Sequence, residues 1–255
     1  MRFSKWSGLG NDFIFPEPGE RVSVSAVPRL CDRRFGIGAD GVIVIRPLES
    51  GDFEMKIYNS DGSEAAMCGN ATRCAAKYIV SRGLGSGPVF HLHTLSGIVS
   101  PELLADGSVT VDMGEARPFL GSIALEADGR KFAAETVSMG NPHAVIFVDD
   151  VNAVPLEKWG PVLEHDAQFP DRCNIEFAQM LAPDRIRMRV WERGCGVTAA
   201  CGTGSCATLV AAQRRRGAAV RADIILDGGV LTIRREGGGH VFMTGCADEI
   251  FQGEI

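Results

Sequence analysis

Two stretches of the chain alternate apolar and polar residues with the period of a strand that is buried on one face. Residues 53–58 read FEMKIY and residues 186–191 read IRMRVW, and both are rich in residues that favour strands. After a glycine-containing loop, each is followed by a run suited to a helix, NATRCAAKYIVSRG at 70–83 and GSCATLVAAQRRRG at 204–217. Each run ends at a glycine suited to a helix C-cap. The pattern therefore predicts one strand–loop–helix unit twice.

Further strand patterns follow each predicted helix. Residues 89–114 and 222–245 contain alternating segments that are separated by turn sequences, Asp106-Gly107 in the first and Gly237-Gly238-Gly239 in the second. Many strands with one long helix in each half indicate an α+β protein. We predict two pseudo-symmetric domains, each a curved, mostly antiparallel sheet around a central helix.

An internal repeat links the two halves. FEMKIYNSDGSEAAMCGN aligns without a gap with IRMRVWERGCGVTAACGT, which matches Cys68 with Cys201. Upstream, GLGNDF aligns with SMGNPH, which matches Asn11 with Asn141. Matched features in the same order and at nearly the same spacing indicate two copies of one domain.

The length of 255 residues is sufficient for two compact domains. We predict an N-terminal half over residues 1–117 and a C-terminal half over residues 118–249, with the boundary near Pro118. The tail, residues 250–255, is expected to return to the first half. The active site is expected in the cleft between the halves.

Composition narrows the function classes. The chain is 45% hydrophobic and 23% charged, which is ordinary for a soluble globular protein, and its net charge of −6 gives no basic surface for nucleic acid. No apolar run approaches the roughly 20 residues of a membrane span, and MRFSKWSGLG does not resemble a signal peptide. We expect a cytoplasmic protein that binds neither nucleic acid nor membrane. The eight cysteines include no C-x-x-C motif, so no metal site is predicted.

Two of the cysteines stand directly before the predicted helices. The unpaired N–H groups and the dipole at a helix N-terminus stabilise a thiolate, so the sequence predicts a lowered pKa for Cys68 and Cys201. The same donors bind carboxylates, and Gly69 and Gly202 allow a ligand to approach the backbone closely. Each half therefore offers a reactive thiol beside an anion site.

Two such thiols that face one ligand would suit one reaction class. Inversion of an α-carbon requires proton removal from one face and proton delivery to the other, and a thiolate and a thiol can do both without a cofactor. Donors to the substrate carboxylate would stabilise the carbanion. The alternative for a cysteine at a helix start is simple packing, which the repeat and the flanking glycines disfavour. We interpret the remaining cysteines as packing residues: Cys31, Cys74, Cys173, Cys195, Cys206 and Cys246.

Seven segments along nearly the whole chain together resemble the diaminopimelate epimerase family: GLGNDF, RRFGIGADG, YNSDGSEAAMCGNATRC, SMGNPHAV, DRCNIEF, WERGCGVTAACGTGSCA and MTG. The resemblance implies two domains that close over a small-molecule substrate, and a homodimer. It implies interconversion of LL- and meso-diaminopimelate without pyridoxal phosphate or another cofactor. This reaction belongs to the biosynthesis of lysine and of peptidoglycan precursors.

The resemblance also implies residue roles. Cys68 and Cys201 would be the catalytic acid–base thiols, and His143 and Glu192 would tune their pKa values. The implied substrate-binding residues are Asn11, Asn59, Gly69, Asn70, Asn141, Asn174, Glu192, Arg193, Gly202 and Thr203.

The chain departs from the family pattern at three places. Val197 replaces a glutamate of many members, which leaves the local partners of Arg193 open. Gly41 replaces a glutamine of some members, so it has no assigned role. The segment FIFPEPGERVSVSAV is shorter than usual.

Two other functions remain open from the sequence. The first is a cofactor-independent racemase of another amino acid, such as proline or histidine. Arg193 favours a substrate with a second carboxylate, because guanidinium groups bind carboxylates in a bidentate manner. The second is a thiol redox sensor in which Cys68 and Cys201 form a disulfide. Such a sensor would not need the asparagine residues that the resemblance assigns to substrate binding.

Overall fold

A computed structural model describes residues 1–235 and 239–255. The chain divides into two compact units. The first unit comprises Met1–Asp112 together with Thr244–Ile255, and the second comprises Met113–Met243. Within the described residues, no helix is long and apolar enough to cross a membrane.

The described residues form mainly strands. The helices are α1 (Val27–Cys31), α2 (Gly69–Ser81), α3 (Leu156–Glu164) and α4 (Gly202–Arg215), with 3-10 turns at Val24–Ala26 and Val151–Ala153. The strands are β1 (Arg2–Gly8), β2 (Asn11–Pro16), β3 (Gly41–Pro47), β4 (Phe53–Asn59), β5 (Glu64–Ala65), β6 (Leu92–Thr94), β7 (Gly97–Val99), β8 (Glu102–Leu103), β9 (Val109–Glu115), β10 (Arg117–Ala127), β11 (Arg130–Ser138), β12 (Pro142–Phe147), β13 (Asn174–Ala182), β14 (Arg185–Glu192), β15 (Gly196–Thr198), β16 (Arg221–Leu226), β17 (Gly229–Arg235), β18 (His240–Gly245) and β19 (Asp248–Glu254).

Both units have the same order of strand pairing. In the first, β1/β2 is antiparallel, β2/β3 parallel, β3/β4 antiparallel, β4/β6 parallel and β6/β7 antiparallel, and the short β5 pairs with β4. In the second, the corresponding pairs are β11/β12, β12/β13, β13/β14, β14/β16 and β16/β17, and the short β15 pairs with β14. The prediction of an α+β fold with two pseudo-symmetric halves is confirmed.

The longest helix of each unit, α2 in the first and α4 in the second, packs on the sheet. In the first unit, α2 contacts β1, β3, β8 and β19. In the second, α4 contacts β11 to β14 and also β16 and β17, and it is buried on nearly all sides from Gly202 to Ala212. The two helices end as predicted, because Gly83 and Gly217 follow them with φ of 63° and 66° in the left-handed region that favours glycine.

The strand predictions are confirmed where the structure describes them. In β4 and β14, buried residues alternate with partly exposed ones, as the two-residue period requires. The turn at Asp106-Gly107 joins β8 to β9. The predicted turn after β17 falls partly on Gly237 and Gly238, which lie outside the described residues.

The packing role predicted for six cysteines is correct for four of them. Cys195 and Cys246 are exposed, so the prediction was wrong for these two. Cys195 lies in the turn between β14 and β15, and Cys246 follows the end of β18, positions that face solvent. The buried cysteines are Cys31, Cys74, Cys173 and Cys206.

Candidate active site

The first thiol stands at the N-terminus of α2, in the first unit. Cys68 is the N-cap residue with extended backbone angles, φ −147° and ψ 113°. Its carbonyl oxygen accepts the Thr72 N–H at 2.9 Å and the Thr72 hydroxyl at 2.9 Å. The N–H groups of Gly69 and Asn70 come next and have no acceptor within the helix. They are therefore suited to an anionic group beside the thiol.

Asn11 lies against this thiol. Its Oδ1 is 3.8 Å from the Cys68 sulfur and accepts a hydrogen bond from Asn70 Nδ2 at 3.2 Å. Its Nδ2 donates to the Asp40 carboxylate at 2.7 Å. Because a carboxylate only accepts, Asp40 turns the Asn11 carbonyl toward the thiol. The structure thus brings together three predicted residues and adds Asp40, which the sequence analysis did not identify.

An ion network supports Asp40. Arg33 donates to both oxygens of Asp12, at 3.0 and 2.7 Å, and to Asp40 at 2.8 Å. Lys5 Nζ lies 2.8 Å from Asp12 Oδ2. Burial raises the pKa of Asp12, but the hydrogen bonds from Arg33 and Lys5 outweigh it and lower the pKa to about 2. The sequence signals for this network were acidic residues in GNDF and GIGADG, and the sequence analysis gave neither acidic residue a role.

We expect Asp12→Asn to lower the free energy of unfolding by about 2 kcal/mol at neutral pH, because each unit of pKa shift corresponds to about 1.4 kcal/mol. The folded pKa lies below the ordinary 3.8. The stabilisation is therefore complete above about pH 4 and is lost as the pH falls toward 2. Urea titrations across this range would measure it, with the exposed Asp149→Asn as control. A difference between wild type and Asp12→Asn that stayed constant with pH would contradict the account.

Asn59 lies at the exposed end of β4. Its Nδ2 donates to the Ser63 hydroxyl at 2.9 Å, and its backbone is paired with Gly41 on β3. A Cβ at Gly41 would lie 2.4 Å from the Tyr58 carbonyl oxygen, so this strand spacing requires glycine. The substrate-binding role of Asn59 stays a prediction.

The second thiol stands at the N-terminus of α4, in the second unit. Cys201 is the N-cap residue, with φ −118° and ψ 111°, and it is buried. The Gly204 N–H donates to its sulfur at 3.3 Å, and the Thr203 hydroxyl lies 3.6 Å from the sulfur. The Cys201 carbonyl accepts from the Ser205 N–H at 3.0 Å and from its hydroxyl at 2.8 Å. The helix start thus directs donors at the sulfur.

The predicted lowering of the pKa is wrong for Cys201. Burial, and after it the negative charges of Glu192 and Glu176, raise the pKa of this thiol well above its ordinary value. Hydrogen bonds from Thr203 and from the Gly204 N–H lower it, but by less. The effect of the helix N-terminus on the pKa is smaller than the effect of burial, because loss of solvent disfavours the charged thiolate.

Glu192 ends β14 beside this thiol. Its carboxylate is hydrogen-bonded to Cys201 and accepts the Thr198 hydroxyl. Burial raises the pKa of Glu192, and these two hydrogen bonds lower it by less. The negative charge of this carboxylate in turn raises the pKa of the Cys201 thiol.

His143 and Asn141 form a chain of contacts that reaches the same thiol. His143 is fully buried, and its Nδ1 lies 2.6 Å from Glu176 Oε1. Its Nε2 lies 2.9 Å from Asn141 Oδ1, and Asn141 Nδ2 lies 3.4 Å from the Thr203 hydroxyl. Three predicted residues thus meet in space. Glu176 was missed, although a glutamate within the apolar run of DRCNIEF is an unusual residue for a buried strand.

Asn174 and Arg193 have different environments. Asn174 is buried, and its amide joins two segments: Nδ2 donates to the Pro142 carbonyl at 2.8 Å, and Oδ1 accepts the Arg193 N–H at 3.0 Å. The Arg193 side chain is exposed and donates to the Asp171 carbonyl at 3.1 Å. Val197 is exposed on β15.

In residues 1–235 and 239–255, no group of three or more His, Cys, Asp or Glu side chains is arranged to hold a metal ion.

A comparison with family models and a comparison with known proteins identify the same family. The family model described as diaminopimelate epimerase matches residues 3–118 and 135–250. A diaminopimelate epimerase of Pelotomaculum thermopropionicum is 46% identical over 275 residues, which covers 100% of this chain and 98% of the relative. Another, of Carboxydothermus hydrogenoformans, is 44% identical over 273 residues, with 100% and 99% coverage.

Solved structures share the fold at low sequence identity. A phenazine biosynthesis protein of the PhzF family from Bacillus anthracis has a TM-score of 0.75 and 15% identity, with 100% of this chain and 98% of the other covered. A hydroxyproline epimerase from Agrobacterium vitis, with bound trans-4-hydroxy-L-proline, has a TM-score of 0.72 and 17% identity, with 99% and 91% covered. At this identity, the likeness concerns the fold alone.

Proposed function

The chain belongs to the diaminopimelate epimerase family, and from this we propose that it interconverts LL- and meso-diaminopimelate as an isomerase independent of pyridoxal phosphate. The observation that carries the proposal is the recurrence of one arrangement: a cysteine as the N-cap of the central helix in each of two repeated units. A reaction that inverts one carbon needs two acid–base groups, and the repeat supplies one in each half. The pathway we assign is the biosynthesis of lysine and of peptidoglycan precursors.

We propose that Cys68 and Cys201 act on opposite faces of the α-carbon. One sulfur, as thiolate, removes the α-proton, and the other, as thiol, delivers a proton to the opposite face. The first N–H groups of α2 and α4 stabilise the negative charge that develops toward the substrate carboxylate. The raised pKa of Cys201 supports its assignment as the protonated partner in the resting enzyme.

The remaining predicted residues are proposed to bind the polar groups of the substrate. Diaminopimelate carries two carboxylates and two ammonium groups, so its distal carboxylate is assigned to the exposed guanidinium of Arg193. Asparagine side chains supply donors and acceptors without net charge. The other proposed contacts are Asn11, Asn59, Asn141, Asn174 and Glu192, with the backbones of Gly69, Asn70, Gly202 and Thr203.

Proton NMR in heavy water tests the function. The reduced protein is incubated with LL-diaminopimelate without pyridoxal phosphate, and we expect loss of the α-hydrogen signal together with appearance of the meso isomer. Proline, hydroxyproline and histidine are offered in parallel, because proteins of this fold include a hydroxyproline epimerase and a probable proline racemase. Turnover of one of these in place of diaminopimelate would establish the racemase alternative. Inertness toward all four with free thiols would favour a redox role.

We also propose that the protein is a cytoplasmic homodimer. A reducing compartment would keep the catalytic cysteines as thiols. Within the described residues, β19 lies at the edge of its sheet and pairs with β1 on one side, and its Ile250 and Phe251 side chains are about half exposed. Exposed apolar side chains on an edge strand favour pairing with another chain, so Ile250 and Phe251 support pairing with a second copy, with the acidic residues Asp248, Glu249 and Glu254 on either side of them.

Ile250→Lys should therefore convert the dimer into a monomer, because a lysine at an edge strand opposes pairing between sheets. Sedimentation equilibrium would measure the mass of both proteins. Val220→Lys changes another exposed apolar residue, which lies outside the strands, and should leave the dimer intact. A wild-type protein that sediments as a monomer, or a variant that remains dimeric, would contradict the proposed interface.

A further inference from the structure

Glu176 is a buried carboxylate that the proposed chemistry does not yet use. It lies on β13 with no solvent exposure, and its Oε1 is 2.6 Å from His143 Nδ1. Its Oε2 is buried and has no hydrogen-bond partner among the described residues. A buried carboxylate that is only half satisfied costs stability, so its retention calls for a functional reason.

The same carboxylate is packed against the start of α4. A Cβ placed on Gly204 would lie 2.7 Å from Glu176 Oε1 and 3.1 Å from the Cys201 sulfur. Glycine at this position therefore makes room for the carboxylate and the sulfur together. The Gly204 N–H, which donates to that sulfur, comes from the same turn. Glu176 thus contacts the buried imidazole and packs against the helix turn that holds the thiol.

We propose that Glu176 is a positioning residue for the Cys201 thiol: it keeps His143 protonated at Nδ1 and so sets the direction of the hydrogen-bond chain that runs through Asn141 and Thr203 to the sulfur. The role assumes the proposed epimerase reaction, in which Cys201 alternates between thiol and thiolate. It does not require Glu176 to touch the substrate.

When the His143 Nδ1–H donates to Glu176, the hydrogen-bond chain from His143 to Cys201 can adopt two arrangements. With Nε2 unprotonated, the Asn141 amide is turned by 180° from the orientation in the structure, which has Oδ1 toward Nε2 and Nδ2 toward Thr203. Its Nδ2 then donates to Nε2 and its Oδ1 accepts the Thr203 hydroxyl, whose oxygen can accept the Cys201 S–H. With Nε2 protonated, the imidazolium donates to the Asn141 oxygen, the amide nitrogen donates to Thr203, and the hydroxyl donates to the thiolate.

The two arrangements link the charge of the His143 imidazole at one end of the hydrogen-bond chain to the charge of the Cys201 sulfur at the other end. A neutral imidazole accompanies the thiol, and an imidazolium accompanies the thiolate. In the second state, the Glu176 carboxylate lies directly against the imidazolium and balances its charge. Without Glu176, either ring nitrogen of His143 could carry the single proton of the neutral form, and the direction of the chain would no longer be fixed.

Glu176→Gln tests the role at nearly constant shape. A glutamine amide both donates and accepts, so it no longer selects the Nδ1–H tautomer and provides no charge for the imidazolium. We expect kcat to fall about tenfold in both directions while KM changes less than about twofold, because the distal binding groups are intact. Glu135→Gln is the matched control, since Glu135 is also buried in the second unit but pairs with Arg215, and it should keep wild-type kcat.

Nitrogen-15 NMR of labelled histidine reads the tautomer directly and needs no substrate. In the wild type, the His143 signals, assigned by their absence in His143→Asn, should show a protonated Nδ1, and in Glu176→Gln they should show loss of that preference. A wild-type Nδ1 without a proton would overturn the inference even if the variant did not fold. A variant with unchanged kcat, or with reduced kcat and an unchanged His143 spectrum, would also overturn it. Failure of the wild type to turn over diaminopimelate would instead overturn the proposed function.

Discussion

Replacing either Cys68 or Cys201 with serine should abolish net epimerisation, with a loss of at least about 1000-fold in kcat for each single variant. The size follows from the typical contribution of a positioned acid–base group, about 10² to 10⁴-fold, and from the high pKa of a serine hydroxyl. In a two-base scheme, each direction needs one group that removes a proton and another that delivers one. Loss of either group therefore stops both directions. NMR in heavy water, started from LL- and from meso-diaminopimelate, would measure the two rates.

The control for this pair is Cys246→Ser. Cys246 is exposed and has no assigned role, so the variant should keep wild-type turnover. Near-normal turnover in Cys68→Ser or in Cys201→Ser would contradict the two-base scheme. Loss in one variant alone would point to a single catalytic thiol, with water acting on the other face.

The sequence predicted the parts of the fold that depend on local pattern. The strands β4 and β14 and the helices α2 and α4 lie where the apolar periodicity and the following glycines placed them. The repeat was visible because each copy keeps the same order of strand, loop, cysteine and helix. The identical order of strand pairing in the two units shows the same repeat in three dimensions.

The residues that support the thiols were not predictable in this way. Asp40 and Glu176 reach Asn11 and His143 from strands or loops that are distant in the chain, and no local pattern identifies such partners. Charged residues are usually exposed, so a single glutamate within an apolar run gives only a weak signal. The prediction for the Cys201 pKa failed for a related reason, because burial depends on the whole unit and not on the helix start.

Gly204→Ala should give the second large effect: it should lower the free energy of unfolding, whereas helix propensity alone predicts an increase. Alanine is ordinarily better than glycine inside a helix by about 1 kcal/mol. Here the added Cβ would lie 2.7 Å from Glu176 Oε1 and 3.1 Å from the Cys201 sulfur, so the carboxylate, the thiol or the helix must shift. We expect overpacking to lower the free energy of unfolding by about 1–3 kcal/mol.

The same shift should reduce kcat by about 100-fold, because a displacement of about 1 Å at a reacting group costs roughly that factor. Urea unfolding and the heavy-water assay would measure the two effects. Arg214→Ala, at an exposed position near the end of the same helix, should change neither. A Gly204→Ala protein that was more stable than wild type and fully active would mean that the first turn of α4 adapts without moving the thiol. The close packing of Glu176 against that turn would then not determine where the sulfur lies.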